Sequence, residues 1–249
     1  VARGYGRDEL LLHREWTPAV PVVADPDRPG GVEEAKRMGA TVVVLDDGFQ
    51  HRRLAREVDV VLVAAEEGLP GALLPRGPFR EPLAALRRAH AIVVTRKSET
   101  EAGARGLADR LRGRFPGAVT SAVHLAPGTL RPLSGTGTGA HSVPGGPVTV
   151  LTAVARPETV EASVREAGCT VRGLEAFPDH HEFSAADLAR VLDRSSGDAI
   201  VVTEKDAVKL RELPGAAASP VWVLEQRLIW DSDPAPLLDL IARRIREGS

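Results

Sequence analysis

The 249-residue chain reads as an α/β protein, with a mostly parallel sheet flanked by helices and a smaller α/β domain toward the C-terminus. Two observations predict this class. Short apolar runs such as Val42–Leu45, Val58–Ala64, Ala91–Thr95, Val148–Ala153 and Ala199–Thr203 lack polar alternation, as strands covered on both faces do. Between them lie stretches of helical period, several opened by proline or closed by glycine, so strands and helices alternate along the chain.

In order, Glu9 to Glu15 is predicted as a short helix, Val20–Ala24 as a strand, and Val32–Met38 as a helix stopped by Gly39. The strand Val42–Leu45 leads into the polar, basic stretch DDGFQHRR. Val58–Ala64 is a further buried strand, Glu81–Arg88 is helical, Ala91–Thr95 is a strand, and Glu99–Arg114 is an amphipathic helix. Residues 116–147 are rich in Gly, Pro, Ser and Thr, with a strand at Val119–Leu125 and a linker at 134–147. A second series then runs through strand Val148–Ala153, helix Pro157–Ala167 with Gly168 as its stop, and strand Thr170–Ala176. After the loop FPDHHEF come helix Ala185–Asp193, strands Ala199–Thr203 and Val221–Leu224, and a final helix Ala235–Arg246. The expected domains are therefore residues 1–133 and 148–249, joined by 134–147; no internal repeat is present.

Composition narrows the function classes. Hydrophobic residues make up 43% of the chain and charged residues 27%, the balance of a globular protein with a substantial core. A formal net charge of -2 argues against a general nucleic-acid binder. Lysine occurs only at positions 36, 97, 205 and 209, so arginine supplies nearly all the positive charge. Genome composition is one explanation; at particular sites arginine's bidentate fork also suits phosphate. The single cysteine, Cys169, excludes an intramolecular disulfide and reads as a small core residue. No run of about 18 apolar residues and no secretory leader is present, so a cytoplasmic setting is expected.

The candidate chemistry begins at Asp46 and Asp47. In an open α/β sheet, ligands bind outside the carboxyl ends of the strands, where an acid can hold magnesium. An apolar strand ending in Asp is also the second nucleotide motif of P-loop NTPases. The competing reading is an acid capping the next turn.

DDGFQHRRL, followed by LLPRGPFREPLAALRRA at Leu73–Ala89, resembles the tetraacyldisaccharide 4'-kinases, which phosphorylate a lipid A precursor in Gram-negative bacteria. ARGYGR (2–7), DEL (8–10), DPDR (25–28), FPDHHEF (177–183) and VVTEKDAVKL (201–210) agree with that family in the same order. The resemblance implies a P-loop-NTPase-like sheet and transfer of the γ-phosphate of ATP, with Mg2+, to the 4'-hydroxyl of a tetraacylated glucosamine disaccharide lipid. It also implies a peripheral enzyme at the cytoplasmic face of the inner membrane. The family carries a glycine-rich G-x-x-x-x-G-K-[ST] loop before ARGYGR, and no such stretch occurs here. GTGTGAHS at 135–142 lacks the lysine and reads as linker. A copy without its N-terminal phosphate-loop segment, its own activity in question, is therefore expected.

By the same resemblance Asp46 and Asp47 are metal or Walker-B-like residues, and Asp47 is also catalytic. Asp8 matches the family's catalytic acid and His180 its partner, together a base for the acceptor hydroxyl; His181 packs or meets solvent. Because the expected linker separates Asp8 from His180, domain closure is expected to bring them together. Arg28 and Glu81 match positions serving substrate binding, against a turn arginine and a helix-starting glutamate. His51 orients a carboxylate or contacts phosphate, or is a surface histidine, and Arg52 and Arg53 face substrate phosphate or solvent. Asp179 is expected to fix its loop, and Thr203, Glu204 and Lys205 to stabilise the cleft. Arg76, Arg80, Arg87 and Arg88, interleaved with Leu73, Leu74, Phe79, Leu83 and Leu86, form either a membrane-resting segment or an ordinary helix packing its leucines inward. Rival readings are a non-catalytic lipid-binding remnant or regulatory partner, and a metal-dependent phosphoesterase built on Asp179-His180-His181 with Asp46 and Asp47.

Overall fold

The computed structural model describes residues 7–69, 71–77, 79–135 and 145–248, and within them helices and strands alternate in the predicted α/β manner. The first elements are α1 (Arg7–Trp16), α2 (Arg28–Arg37), β1 (Val60–Ala64), a 3-10 helix at Leu83–Arg88, β2 (Ala91–Arg96), α3 (Glu101–Arg114) and β3 (Val119–Pro132). There follow β4 (Val148–Thr152), α4 (Pro157–Glu166), β5 (Val171–Ala176), α5 (Ala185–Arg194), β6 (Ala199–Thr203), α6 (Glu204–Leu210), a 3-10 turn at Ala216–Ala218, β7 (Val221–Trp230) and α7 (Ala235–Glu247).

The chain divides into two units. One comprises Val1–Pro26 with Ala126–Arg227, the other Asp27–Leu125 with Leu228–Ser249. This division differs from the expected segments 1–133 and 148–249. The N-terminal helix α1 packs on α6, and so joins the unit built from the second half of the sequence. Residues 136–144 of the expected linker lie outside the described residues.

In the first unit the strands run in the order β3-β7-β6-β4-β5, and β7, β6, β4 and β5 are mutually parallel. Side-chain alternation assigns each strand's residues to two faces. Leu151, Ile200, Val202, Val221 and Val223 pack with Leu188 and Val191 of α5 and Ala207 and Leu210 of α6. Val148, Val150, Val201 and Leu224 face the other way, onto Val160 and Val164 of α4. Each such side chain removed from water contributes about 1.5–3 kcal/mol. α5 starts at a capping box in which Ser184 and Asp187 satisfy each other's backbone N–H.

In the second unit β1, β2 and β3 pair in parallel. Ile92 and Val94 of β2 face Leu107 and Leu111 of α3, whereas Ala91 and Val93 face Leu237 and Leu240 of α7. Arg96 holds Asp231 through two hydrogen bonds of 2.6 and 2.9 Å, and the Ser232 hydroxyl oxygen accepts the Ala122 N–H at 2.9 Å.

Three sequence expectations change. Val42–Leu45, expected as a buried strand, is irregular and its valines are exposed, Val44 to 90%. β-branched apolar residues suit a pleated surface, but a strand also needs a neighbour to complete its ladder, and among the described residues this run has none. Val20–Ala24 is irregular for the same reason. Glu81–Arg88 forms a 3-10 helix over Leu83–Arg88, with Pro82 at its N-cap. Beyond these, the structure adds α6, whose Asp206 and Lys209 are buried.

Candidate active site

The carboxyl ends of β4, β5 and β6 carry the first candidate site, all within the first unit. β4 ends at Thr152, β5 runs into FPDHHEF, and β6 ends at Thr203, which caps α6 by accepting the Asp206 N–H at 3.1 Å. Asp206 is wholly buried and fully satisfied. Its carboxylate accepts from the Thr152 and Thr203 hydroxyls at 2.9 and 2.8 Å and from the Ala153 N–H at 3.2 Å. Across the same peptide region, the Ala153 carbonyl accepts the His180 N–H at 3.2 Å. His180 has a left-handed backbone, φ +60°, uncommon for a residue with a Cβ. Backbone strain of this kind persists where the surroundings over-determine it.

α1 supplies the other half of the pair. Its C-terminal end is fastened by Glu15 to Arg131 at 2.7 Å and to Arg211, and by the Trp16 indole N–H to Glu204 at 3.0 Å. Its first turn presents Asp8, only 2% exposed, with Oδ2 at 3.1 Å from His180 Nδ1. Asp8 and His180 thus lie together inside one unit, where their sequence separation led to an expectation of closure between two domains.

Two lysines of α6 share that carboxylate. Lys205 Nζ stands 3.6 Å and Lys209 Nζ 3.7 Å from Asp8 Oδ2. Burial raises the Asp8 pKa, but Lys205, Lys209 and His180, with the Glu9 N–H, outweigh it and leave the carboxyl below its ordinary range. Asp8 is therefore an acceptor and His180 Nδ1 carries the proton between them. Lys205 donates to Nε2 at 3.4 Å, which assigns that nitrogen the lone pair. Lys209 is buried, donates to the His181 carbonyl at 3.0 Å and lies 3.6 Å from Asp206. Asp206 and Lys209 were not singled out in the sequence; the signal available was their i, i+3 spacing beside a strand end.

His181 turns away from this pair. It packs between Phe177 and Phe183, and its Nε2 lies 3.3 Å from Asp187 Oδ2. The Ser184 hydroxyl and N–H, with His181, hold the Asp187 carboxyl down at about 2. Asp179 stands 3.9 Å from His180 Nε2.

The second candidate site lies in the other unit and is described by itself. Asp46 and Asp47 sit on an exposed turn rather than at a strand end. Asp47 has φ +49° and pairs with Arg80 at 3.1 Å, while Arg28 donates to the Asp46 carbonyl at 3.3 Å. Gly48 is buried, and a Cβ there would lie 2.9 Å from Leu45 Cβ, so the turn requires glycine. Glu81 pairs with Arg88 at 2.8 Å, and the Arg88 guanidinium lies 4.5 Å over the Phe49 ring. DDGF is thereby knitted to Arg80, Glu81 and Arg88, which brings Asp46, Asp47, Arg28 and Glu81 into one region. His51 is exposed; its carbonyl accepts from Arg56. Among the described residues no three His, Cys, Asp or Glu side chains form a group that could hold a metal ion. Leu86 is buried and Leu83 packs on the core, whereas Leu73 and Leu74 are exposed.

Comparison with known proteins gives one consistent result. Residues 2–246 match the family LpxK, tetraacyldisaccharide-1-P 4'-kinase. A tetraacyldisaccharide 4'-kinase of Anaeromyxobacter sp. (strain Fw109-5) is 40% identical over 230 residues, covering 88% of this chain and 60% of that protein. Those of Halorhodospira halophila and Methylobacterium nodulans are 35% and 36% identical, covering 90% and 94% of this chain and 60% and 64% of theirs. The crystal structure of "apo" form LpxK from Aquifex aeolicus in complex with ATP is similar with a TM-score of 0.69 and 25% identity, over 98% of this chain and 71% of that one. The chain thus spans about 60% of the length of these curated relatives. These matches overturn the expectation of a copy that has lost its N-terminal phosphate loop. The correspondence runs from residue 2 to residue 246, and where the sequence starts says nothing about what precedes it. By the extent of that match, the chain belongs to the tetraacyldisaccharide-1-P 4'-kinase family.

Proposed function

We propose that this chain takes part in transferring the γ-phosphate of ATP to the 4'-hydroxyl of a tetraacylated glucosamine disaccharide 1-phosphate. The observation that carries this reading is the Asp8–His180 pair, a buried carboxylate 3.1 Å from Nδ1 with the lone pair left on Nε2. As the acceptor oxygen bonds to the γ-phosphorus, its proton passes to Nε2. The bond from phosphorus to the bridging oxygen breaks, and ADP leaves with the electron pair. Asp8 stays ionised and compensates the imidazolium that forms. Family membership and the names of the relatives support the substrate class.

Asp46 and Asp47 fit magnesium carried on nucleotide phosphates, because that ion keeps several waters and takes only one or two carboxylates from a protein. When bound, the metal neutralises charge on the phosphate oxygens. Asp47 releases Arg80 at little cost, since an exposed ion pair is worth about 1 kcal/mol or less. Arg28, Glu81 and His51 are assigned to the substrate side by the family likeness. No helix among the described residues is long and apolar enough to cross a membrane. Exposed Leu73 and Leu74, with Arg76 and Arg80 close by in sequence, favour a peripheral position on anionic headgroups at the cytoplasmic face of the inner membrane.

The test is phosphate transfer from radiolabelled ATP to tetraacyldisaccharide 1-phosphate in detergent micelles with magnesium. Label in the lipid, abolished by His180→Ala in a folded chain, is the expected result. Lipid retention without transfer would replace this reading with a binding-only role.

A further inference from the structure

His180 Nε2 has one lone pair, and in this structure that lone pair already has a donor. Lys205 Nζ stands 3.4 Å away, 3.6 Å from Asp8 Oδ2 and 4.0 Å from Glu9 Oε1. A substrate hydroxyl that donates its proton to Nε2 needs the same lone pair, so the hydroxyl and the ammonium exclude each other. The charge on Lys205 also opposes the product of the proton transfer, because an imidazolium at 3.4 Å would face a second cation.

The two lysines of α6 are held differently. Lys209 is buried, fixed by Asp8, Asp206 and the His181 carbonyl. The Lys205 side chain is partly exposed and has two carboxylates within 4.0 Å besides the imidazole. It can therefore leave Nε2 while keeping its ion pairs, which Lys209 cannot do for its own partners.

We propose that Lys205 is a movable cationic cap on the base: it occupies His180 Nε2 before the acceptor hydroxyl arrives and withdraws toward Asp8 and Glu9 as the hydroxyl takes its place. The proposal rests on His180 being the acid–base group assigned above. The charged groups facing the imidazole are Asp8 on α1 at Nδ1, Asp179 on the loop at 3.9 Å from Nε2, and Lys205 on α6; Lys209, Glu9 and Asp206 act one contact further out. Removal of Lys205 leaves two carboxylates near the ring and no cation on Nε2, so the proton affinity of His180 rises.

The experiment is an NMR titration of the His180 ring nitrogens in the unaltered chain and in Lys205→Met, a replacement of similar length at a partly exposed position. The expected result is an increase of about tenfold in the proton affinity of His180, one unit in its midpoint. A midpoint in folded Lys205→Met within twofold of the unaltered chain overturns the cap. Should that variant not fold, the unaltered chain decides: the Lys205 Cε signal must follow the His180 titration, and a signal indifferent to it overturns the proposal. Neither measurement needs turnover. Absence of phosphate transfer would count against the proposed function alone, while an unchanged titration would count against the cap alone. Where transfer is measured, Lys205→Met moves the acidic limb of the pH–rate profile upward by about one unit.

Discussion

Asp8→Asn is the most informative single change, because it keeps the side-chain shape and removes the charge that three neighbours share. Two ammonium groups lie 3.6 and 3.7 Å from the carboxylate, and at an effective dielectric of about 20 each attraction is about 4–5 kcal/mol before costs. The carboxylate is 2% exposed, so its own desolvation offsets much of that, and Lys209 keeps Asp206 as a partner. Removal of one member of such a buried group costs about 3–5 kcal/mol in net stability at pH 7. Urea unfolding at pH 7 and at lower pH reads the charge directly. The folded carboxyl lies below its ordinary value of 3.8, so its contribution is present above that value and is lost as pH falls through the folded pKa. The gap between the unaltered chain and Asp8→Asn must therefore narrow as pH drops below about 4. Phosphate transfer, where measured, should fall by about 10²–10⁴ because the imidazolium loses its counter-charge. A stability gap that is small at pH 7, or that stays constant into acid, would refute the account of Asp8 as a carboxylate held by Lys205 and Lys209.

Asp47→Asn should raise the magnesium concentration needed for half-maximal transfer at least severalfold while leaving the unfolding transition nearly unchanged, since its partner Arg80 is exposed; an unaltered magnesium dependence removes Asp47 from the metal site. Gly48→Ala brings a Cβ to 2.9 Å from Leu45 Cβ and should cost about 1–3 kcal/mol in urea unfolding, with no loss at all showing that the turn is not fixed as described. Ser184→Ala removes the cap of α5 at a cost of about 1 kcal/mol, and the carboxyl of Asp187 should rise from about 2 toward 3.8; a carboxyl carbon titration that stays at the lower value would assign the shift to another cause.

How far the sequence could be read depended on whether a feature is local. β4 and β6 follow from the apolar runs Val148–Ala153 and Ala199–Thr203, and α5 from the helical stretch Ala185–Asp193, so those elements were legible; the Ser184–Asp187 capping box that starts α5 is seen in the structure. Asp8 and His180 were nominated by likeness alone; nothing in their 172-residue separation indicates that α1 folds onto α6. Val42–Leu45 failed in the opposite sense. Its residues have the side chains of a buried strand, yet a ladder is made by a second strand, and side-chain type says nothing of whether one is present. Asp206 and Lys209 are the same lesson in electrostatics. Charged residues in a short helix are assigned to solvent by default, and only the hydroxyls of Thr152 and Thr203, the Ala153 N–H, the His181 carbonyl and the Asp8 carboxylate make their burial tolerable. Those partners come from the ends of β4 and β6, the loop after β5 and the first turn of α1. A buried charge pair with partners from four separate segments leaves no periodic trace, which is why the residues that hold the candidate base were the ones that sequence pattern could not find.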